Sequence, residues 1–273
     1  MKIKIRLILY FVLLAIAIYL MVVLFNLKSK SNISLPRDYD EIMLSEVFNI
    51  VTDYNTFGYF VAEDTIGGFQ YELIKELEND WNIKVNLFLE NSLDDNLKGL
   101  DERKYDVVAR NIPVNTSLRQ RYNFTQPINK NKYVLVQRKA IYNDSIDPIR
   151  QQLDLANKTI FVHKDSPAIM RLQNLANEIG DTIFIEENDT YEEEQLVMMV
   201  AGGDIDFTVC NEKVAKKLAP QLPEIDIDTA LSFTQLESWA LRKESTDLLD
   251  SLNNWLSHIL DTNEFKKMVL KYE

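Results

Sequence analysis

The chain has 273 residues, 42 of them acidic and 30 basic, for a formal net charge of -12. That field repels phosphate backbones and anionic lipid surfaces, which argues against nucleic acid as a partner. A single cysteine, Cys210, excludes an internal disulfide. Two histidines, His163 and His258, leave little material for a zinc site, so no metal or cofactor is expected.

Leu7 to Leu27 runs without a charged residue, and Asn26 is its one strongly polar position. The stretch is long enough to span hydrocarbon. Lys2, Lys4 and Arg6 precede it while Lys28 and Lys30 follow it, so the positive-inside rule weakly favours a cytoplasmic N-terminus. An uncleaved transmembrane anchor over residues 1–30 is the favoured reading, because the stretch ends in Tyr19-Leu20-Met21-Val22-Val23-Leu24-Phe25 rather than in small residues. A cleaved signal peptide and a buried core helix are the alternatives. Residues 31–44 carry Pro36, are polar and lack periodicity, and so read as a linker. About 230–240 residues then remain, enough for one large domain or two lobes of roughly 100 each.

From Ser45 onward, apolar bursts of strand length alternate with segments of helical period, the pattern of an α/β fold with a mostly parallel sheet. Strands are expected at Val47–Thr52, Lys84–Leu89 and Asp106–Ala109. Between the first two, Gly67-Gly68 opens a helix carrying Phe69, Leu73, Ile74, Leu77 and Trp81 on one face. Ser92 caps another helix with Leu93, Leu97 and Leu100. A second series follows Tyr133-Val134-Leu135-Val136, with strands at Thr159–Val162, Thr182–Ile185 and Ile205–Val209. Ser166 as N-cap and Pro167 at the first position start its first helix. Leu236–Leu241 is the last strand, followed by a helix from Ser245 and another over Asn263–Tyr272. Two similar βαβ sets predict two lobes.

No GxSxG, HExxH, GxxxxGK[ST] or GxGxxG signature occurs. The histidines are far apart, which leaves paired carboxylates as the remaining acid/base chemistry. Thr190 reads as an N-cap, with Glu192, Glu193 and Glu194 in the first helical turn, where they suit the positive end of the helix dipole. Asp204 with Asp206, and Asp226 with Asp228, read as solvated strand edges rather than a cation site. No enzymatic activity is expected.

Four stretches in order resemble a known family. They are Thr56-Phe57-Gly58-Tyr59-Phe60 with Gly67-Gly68-Phe69-Gln70-Tyr71-Glu72-Leu73, Lys104-Tyr105-Asp106-Val107-Val108 with Arg119 through Pro127, Gly203-Asp204-Ile205-Asp206-Phe207-Thr208-Val209, and Trp239-Ala240-Leu241-Arg242-Lys243. Together they are similar to the bacterial family 3 solute-binding proteins, and within them to the N-terminal binding domain of membrane-bound lytic murein transglycosylase F without the catalytic domain. The resemblance covers Glu46 to Glu273. It implies a two-lobed type 2 periplasmic-binding-protein fold behind the N-terminal transmembrane helix, with residues 45–130 and 242–273 in lobe 1 and 131–241 in lobe 2. A ligand would sit between the lobes.

The family holds an amino-acid carboxylate with an arginine after a GxTxTxxR run, which aligns onto Asn111 through Leu118 and places Leu118 where the arginine would be. Pro113 replaces a hydroxyl donor and carries no N–H. The aspartate that would pair an ammonium aligns with Asn211. Ordinary amino-acid recognition is therefore not expected, and Arg119, one residue on, is the candidate for an anionic group after a one-residue shift, with a solvated helix-edge arginine as the alternative. Tyr54, Phe57 and Tyr59, after the first strand, are candidates for stacking on a ligand, with lobe packing as the alternative. Asn111 and His163 are further candidates at the rim. Ser166 offers a helix start to an acid group or serves as a structural cap. Arg110 is a ligand contact or a surface charge, the second being the favoured reading.

The expected function is a membrane-tethered extracytoplasmic module in the periplasm that clamps a small ligand, with a cell-wall fragment among the candidates. An ABC transporter component and an accessory of a murein transglycosylase are the alternatives. The expected partners are a small-molecule ligand, the cytoplasmic membrane through the N-terminal helix, and an ABC permease or cell-wall enzyme.

Overall fold

The computed structural model describes residues 37–164 and 166–272, together with Tyr19 and Met21. Apart from Tyr19 and Met21, the anchor expected over residues 1–30 lies outside this set. Among the described residues no helix is long and apolar enough to cross a membrane.

The stretch 38–44, read as linker, is instead part of the fold. Asp38 and Glu41 form a capping box that starts α1 (Tyr39–Ser45), and Ile42 on its inner face is fully buried. The Asp38 carboxylate also accepts hydrogen bonds from the backbone N–H groups of Asp247 (3.2 Å) and Leu248 (2.7 Å), so one side chain caps two helices.

The first sheet is built from β1 (Val47–Thr52), β4 (Lys84–Leu89), β5 (Val107–Pro113), β6 (Tyr122–Phe124), β7 (Asn129–Asn131) and β13 (Gln235–Arg242). Its order is β4-β1-β5-β13-β6, with β7 also on β13. β1 is parallel to β4 and β5, while β13 runs antiparallel to β5, β6 and β7. A short hairpin, β2 (Phe60–Ala62) and β3 (Thr65–Gly67), precedes α2 (Phe69–Trp81), and α3 (Leu93–Asp101) connects β4 to β5. The predicted apolar faces are the buried ones: Phe69, Leu73, Ile74 and Leu77 on α2, and Leu93, Leu97 and Leu100 on α3. α4 (Thr116–Arg121) is a short surface helix.

The second sheet has the order β10-β9-β11-β8-β12, from β8 (Tyr133–Arg138), β9 (Thr159–His163), β10 (Phe184–Asn188), β11 (Thr208–Asn211) and β12 (Ile225–Ala230). Its helices are α5 (Pro167–Ile179), α6 (Glu193–Gly202) and α7 (Glu212–Leu218). Both β10 and β11 begin later than the apolar runs suggest. Ile183 and Ile205 are buried just ahead of the strands, and the paired residues of β10 end in Glu186-Glu187-Asn188 at a sheet edge, where little apolar signal is needed. Asp226, expected at a solvated edge, is buried and takes a bidentate pair from Arg150 at 2.6 and 2.7 Å.

The chain returns to the first sheet before Gln235 and finishes with α8 (Thr246–Ile259) and α9 (Asn263–Tyr272). All of β13 therefore pairs within lobe 1, ahead of the return expected at residue 242. One apolar cluster runs from Phe48, Leu73 and Trp239 of the first lobe to Leu196, Val214 and Leu218 of the second, so the lobes share packing beside the crossovers. Leu135, Ile160, Leu172 and Leu175 form a separate cluster in lobe 2.

Candidate functional site

The carboxyl ends of β1 and β4, the middle of β5 and the N-terminal ends of α5, α6 and α7 border one cavity of about 360 Å³ between the two lobes. Open α/β sheets place small-ligand sites at such positions, and the volume suits a small solute.

Lobe 1 supplies the loop after β1. Asn55 Oδ1 accepts from the backbone N–H groups of Phe57 (3.0 Å) and Gly58 (2.6 Å), which fixes a tight turn, while Asn55 Nδ2 donates to Asp53 at 2.8 Å. Tyr54 N donates to Asn91 Oδ1 at 2.8 Å. Arg110, near the middle of β5, reaches into the cavity, where its guanidinium donates to Asn91 O at 2.7 Å and Asn96 Oδ1 at 3.3 Å and lies 3.3 Å from the Asp53 carboxylate. Asn111 is held from behind: Trp239 Nε1 donates to Gln70 Oε1 (2.8 Å), and Gln70 Nε2 donates to Asn111 Oδ1 (2.7 Å). Trp239 and Gln70 are buried, so the core sets this side chain's orientation.

Lobe 2 supplies Tyr133, His163, Lys164, Ser166, the Glu192–Gln195 turn and Asn211. The His163 ring lies with Nδ1 3.2 Å from Tyr191 O, a group that only accepts, so that nitrogen carries the proton. Its Nε2 is 3.8 Å from the Glu192 carboxylate. Glu193 accepts from the backbone N–H of Asn211, and burial holds its carboxyl above the usual range. Burial likewise pushes the Tyr133 phenol well above its ordinary value. The N-cap of α6 is Glu192, with Gln195 Oε1 accepting from its backbone N–H at 2.9 Å, and not Thr190.

Tyr54, Phe57, Asn111, His163, Ser166 and Asn211 thus meet at this cavity. Tyr59 does not. It is largely buried, packs edge-on against Tyr71 at 5.6 Å, and borders a separate hollow of about 210 Å³. Arg119 also lies elsewhere, exposed on α4 beside a hollow of about 790 Å³ with Tyr122, Arg171 and Lys243. Asn115 caps α4 by accepting from Leu118 N at 2.9 Å, and Leu118 packs on the apolar cluster of Val108 and Ile112. That pairing fixes the helix register, so no one-residue shift brings Arg119 to the cavity. The cationic side chain that β5 brings to the cavity is Arg110, for which the sequence favours a surface charge, and Lys164 joins it from lobe 2. Asp53, Asn91, Tyr133 and the three glutamates were not singled out as site residues either. Their pattern is local in none of these cases, although an arginine inside a strand with buried neighbours is a usable signal.

The sequence pattern of the bacterial extracellular solute-binding proteins, family 3, matches residues 47–273. Membrane-bound lytic murein transglycosylase F of Pseudomonas fluorescens is 25% identical over 239 residues, 87% of this chain and 48% of that protein. Its Desulfosudis oleivorans counterpart is 26% identical over 224 residues, 82% of this chain and 48% of the relative. The chain spans about half the length of the curated relatives it matches. Among solved structures, a mutant of ArgBP from T. maritima superposes with a TM-score of 0.74 at 21% identity, covering 85% of this chain and 97% of that one. An amino acid ABC transporter substrate-binding protein from Streptococcus pneumoniae, bound to L-arginine, gives 0.73 at 17% identity, covering 86% and 97%. These likenesses show the α/β two-lobed periplasmic-binding-protein fold. On the family pattern, the chain belongs to the bacterial extracellular solute-binding proteins, family 3.

Proposed function

We propose that this chain is the ligand-clamping part of a membrane-tethered extracytoplasmic receptor, which takes a small solute between its lobes and shifts an open–closed population. The observation that carries this reading is the convergence of oriented polar groups from both lobes on one cavity at the strand ends. The tether is supported by the charge-free stretch Leu7–Leu27 and by the name of the membrane-bound relatives. Binding is supported by the match of residues 47–273 to the pattern of the solute-binding family.

The test is thermal unfolding of the full chain in detergent against amino acids, amines, sugars, peptides and muropeptides. A cognate solute at about 100 times its Kd adds roughly 2.7 kcal/mol, which raises Tm by roughly 5–10 °C. Silence across all of these classes overturns the reading. A transporter role is a second reading, favoured by the likeness to the pneumococcal ABC transporter component. Co-purification with a permease from membranes would support it.

A further inference from the structure

Each helix start that faces the cavity from lobe 2 is already occupied by the chain's own side chains. Ser166 Oγ accepts from Ala168 N at 3.3 Å, and Pro167 between them has no N–H. Asn211 Oδ1 accepts from Lys213 N and Val214 N at 3.0 and 3.5 Å. The third helix start carries Glu192, Glu193 and Glu194 themselves. The positive ends that commonly receive a ligand carboxylate are spent. In lobe 1, Arg110 is similarly engaged by Asp53, Asn91 and Asn96.

The charge balance follows from the lining. Asp53, Glu192, Glu193 and Glu194 face Arg110 and Lys164, which leaves the cavity negative. Glu193 also feels the charges of Glu194 and Asp53. Two tyrosines border the cavity. The half-buried Tyr133 has a hydroxyl with no hydrogen-bond partner among the described residues, and Tyr54, tilted against Tyr59 at 6.1 Å, stands 47% exposed at the mouth. The neighbouring Phe57 shows what such a ring accepts, since the Lys213 ammonium lies 5.3 Å over its face.

We propose that the cleft selects a small organic cation, an amine or guanidinium on an apolar stem with no need of a free carboxylate. Its charge sits between Glu193 and Asp53, and its stem lies against Tyr54. This rests on the cleft being the binding site, as argued above. The acidic wall would repel an anion, and the lobe-2 helix starts offer a ligand carboxylate few free N–H groups.

Calorimetric titration of the full chain in detergent at pH 8 with agmatine, L-arginine and glutarate tests the proposal. Agmatine is arginine without its carboxylate. The expected result is agmatine binding at least as tightly as arginine, with glutarate silent. Glu193→Gln weakens agmatine by roughly tenfold or more. Because burial raises the Glu193 carboxyl, against the opposing hydrogen bonds from Cys210 and Asn211, affinity for agmatine also falls as the pH is lowered in the unaltered protein, a readout that needs no variant. Arginine binding more than tenfold tighter than agmatine, glutarate binding, or a flat pH profile overturns the proposal. Agmatine silent while another solute raises Tm overturns it and leaves the receptor reading standing. Silence of every solute overturns both.

Discussion

The backbone N–H of Thr56 donates a 2.6 Å hydrogen bond to Glu194 Oε1, from the aromatic loop of lobe 1 to the first turn of α6 in lobe 2. A carboxylate acceptor makes this one of the stronger bonds between the lobes, and it spans the mouth of the cavity. It ties the aromatic loop of lobe 1 to α6 of lobe 2.

Glu194→Ala removes the acceptor and leaves the Thr56 amide to water. A hydrogen bond to a charged group contributes roughly 1.5–3 kcal/mol, so the closed population and the affinity for a bound solute fall by roughly 10- to 100-fold. Small-angle scattering on the ligand-free chain should show a larger radius of gyration for the variant, with Glu194→Gln intermediate because an amide oxygen still accepts. Unchanged scattering and unchanged affinity would mean that the bond does not hold the lobes.

A second device sits at the crossover between the lobes. Glu237 on β13 is 4% exposed, its Oε1 accepts from Asn131 Nδ2 at 3.3 Å, and its Oε2 has no partner among the described residues. Burial pushes this carboxyl up to about 7; the nearby Asp53 and Glu193 add to the shift, and Lys213 and the Asn131 bond oppose it. A carboxyl that holds its proton more tightly in the folded chain favours the fold at low pH. Between about pH 4.5 and pH 7 the folded state binds more protons than the unfolded one, so this group's contribution falls as pH rises through that window. The full loss is roughly 3 kcal/mol above pH 7. Urea unfolding from pH 5 to pH 8 should show Glu237→Gln near wild type at pH 5 and more stable than it at pH 8. Parallel pH profiles for the two proteins would rule the account out.

What the sequence showed and what it hid follow one division. Ser92 and Ser166 are local caps, read from neighbours in the chain, and both cap helices in the fold. The apolar faces of α2 and α3 are equally local. Asp38 and Glu41 carry the same kind of signal, a capping box, yet a polar stretch ahead of them reads as linker. The resemblance motifs were legible as motifs, but their role needs the fold: Asp106 of one and Arg242 of another form a buried ion pair at 3.5 Å, and both are structural. The choice between Arg110 and Arg119 could not be made from spacing. It depends on Asn91 and Asp53 arriving from other strands to orient Arg110, and on Leu118 being drawn into the apolar cluster beside β5.

The close approach of two glycines explains why the loop that carries Tyr54 and Phe57 sits where it does. Gly68 has φ +127, and a Cβ there would lie 2.2 Å from Gly58 O and 2.7 Å from Tyr59 Cα. The same Gly58 carbonyl accepts from Gln70 N at 3.0 Å and Tyr71 N at 3.2 Å, and Gly68 N donates to Tyr272 Oη at 3.0 Å, so backbone surrounds the position and cannot retreat. Gly68→Ala therefore costs about 3 kcal/mol or more, through both the backbone conformation and the clash. Gly67→Ala is the control. A Cβ there meets only the Phe60 ring, 2.8 Å from Cζ at the far end of that side chain, which can rotate away. Urea unfolding should rank Gly68→Ala well below Gly67→Ala in stability, and near-equal midpoints would show that the loop is not pinned by this contact. Any Gly68→Ala protein that folds should also lose solute-induced stabilisation, because a displaced Gly58 carries Phe57 out of the cavity wall.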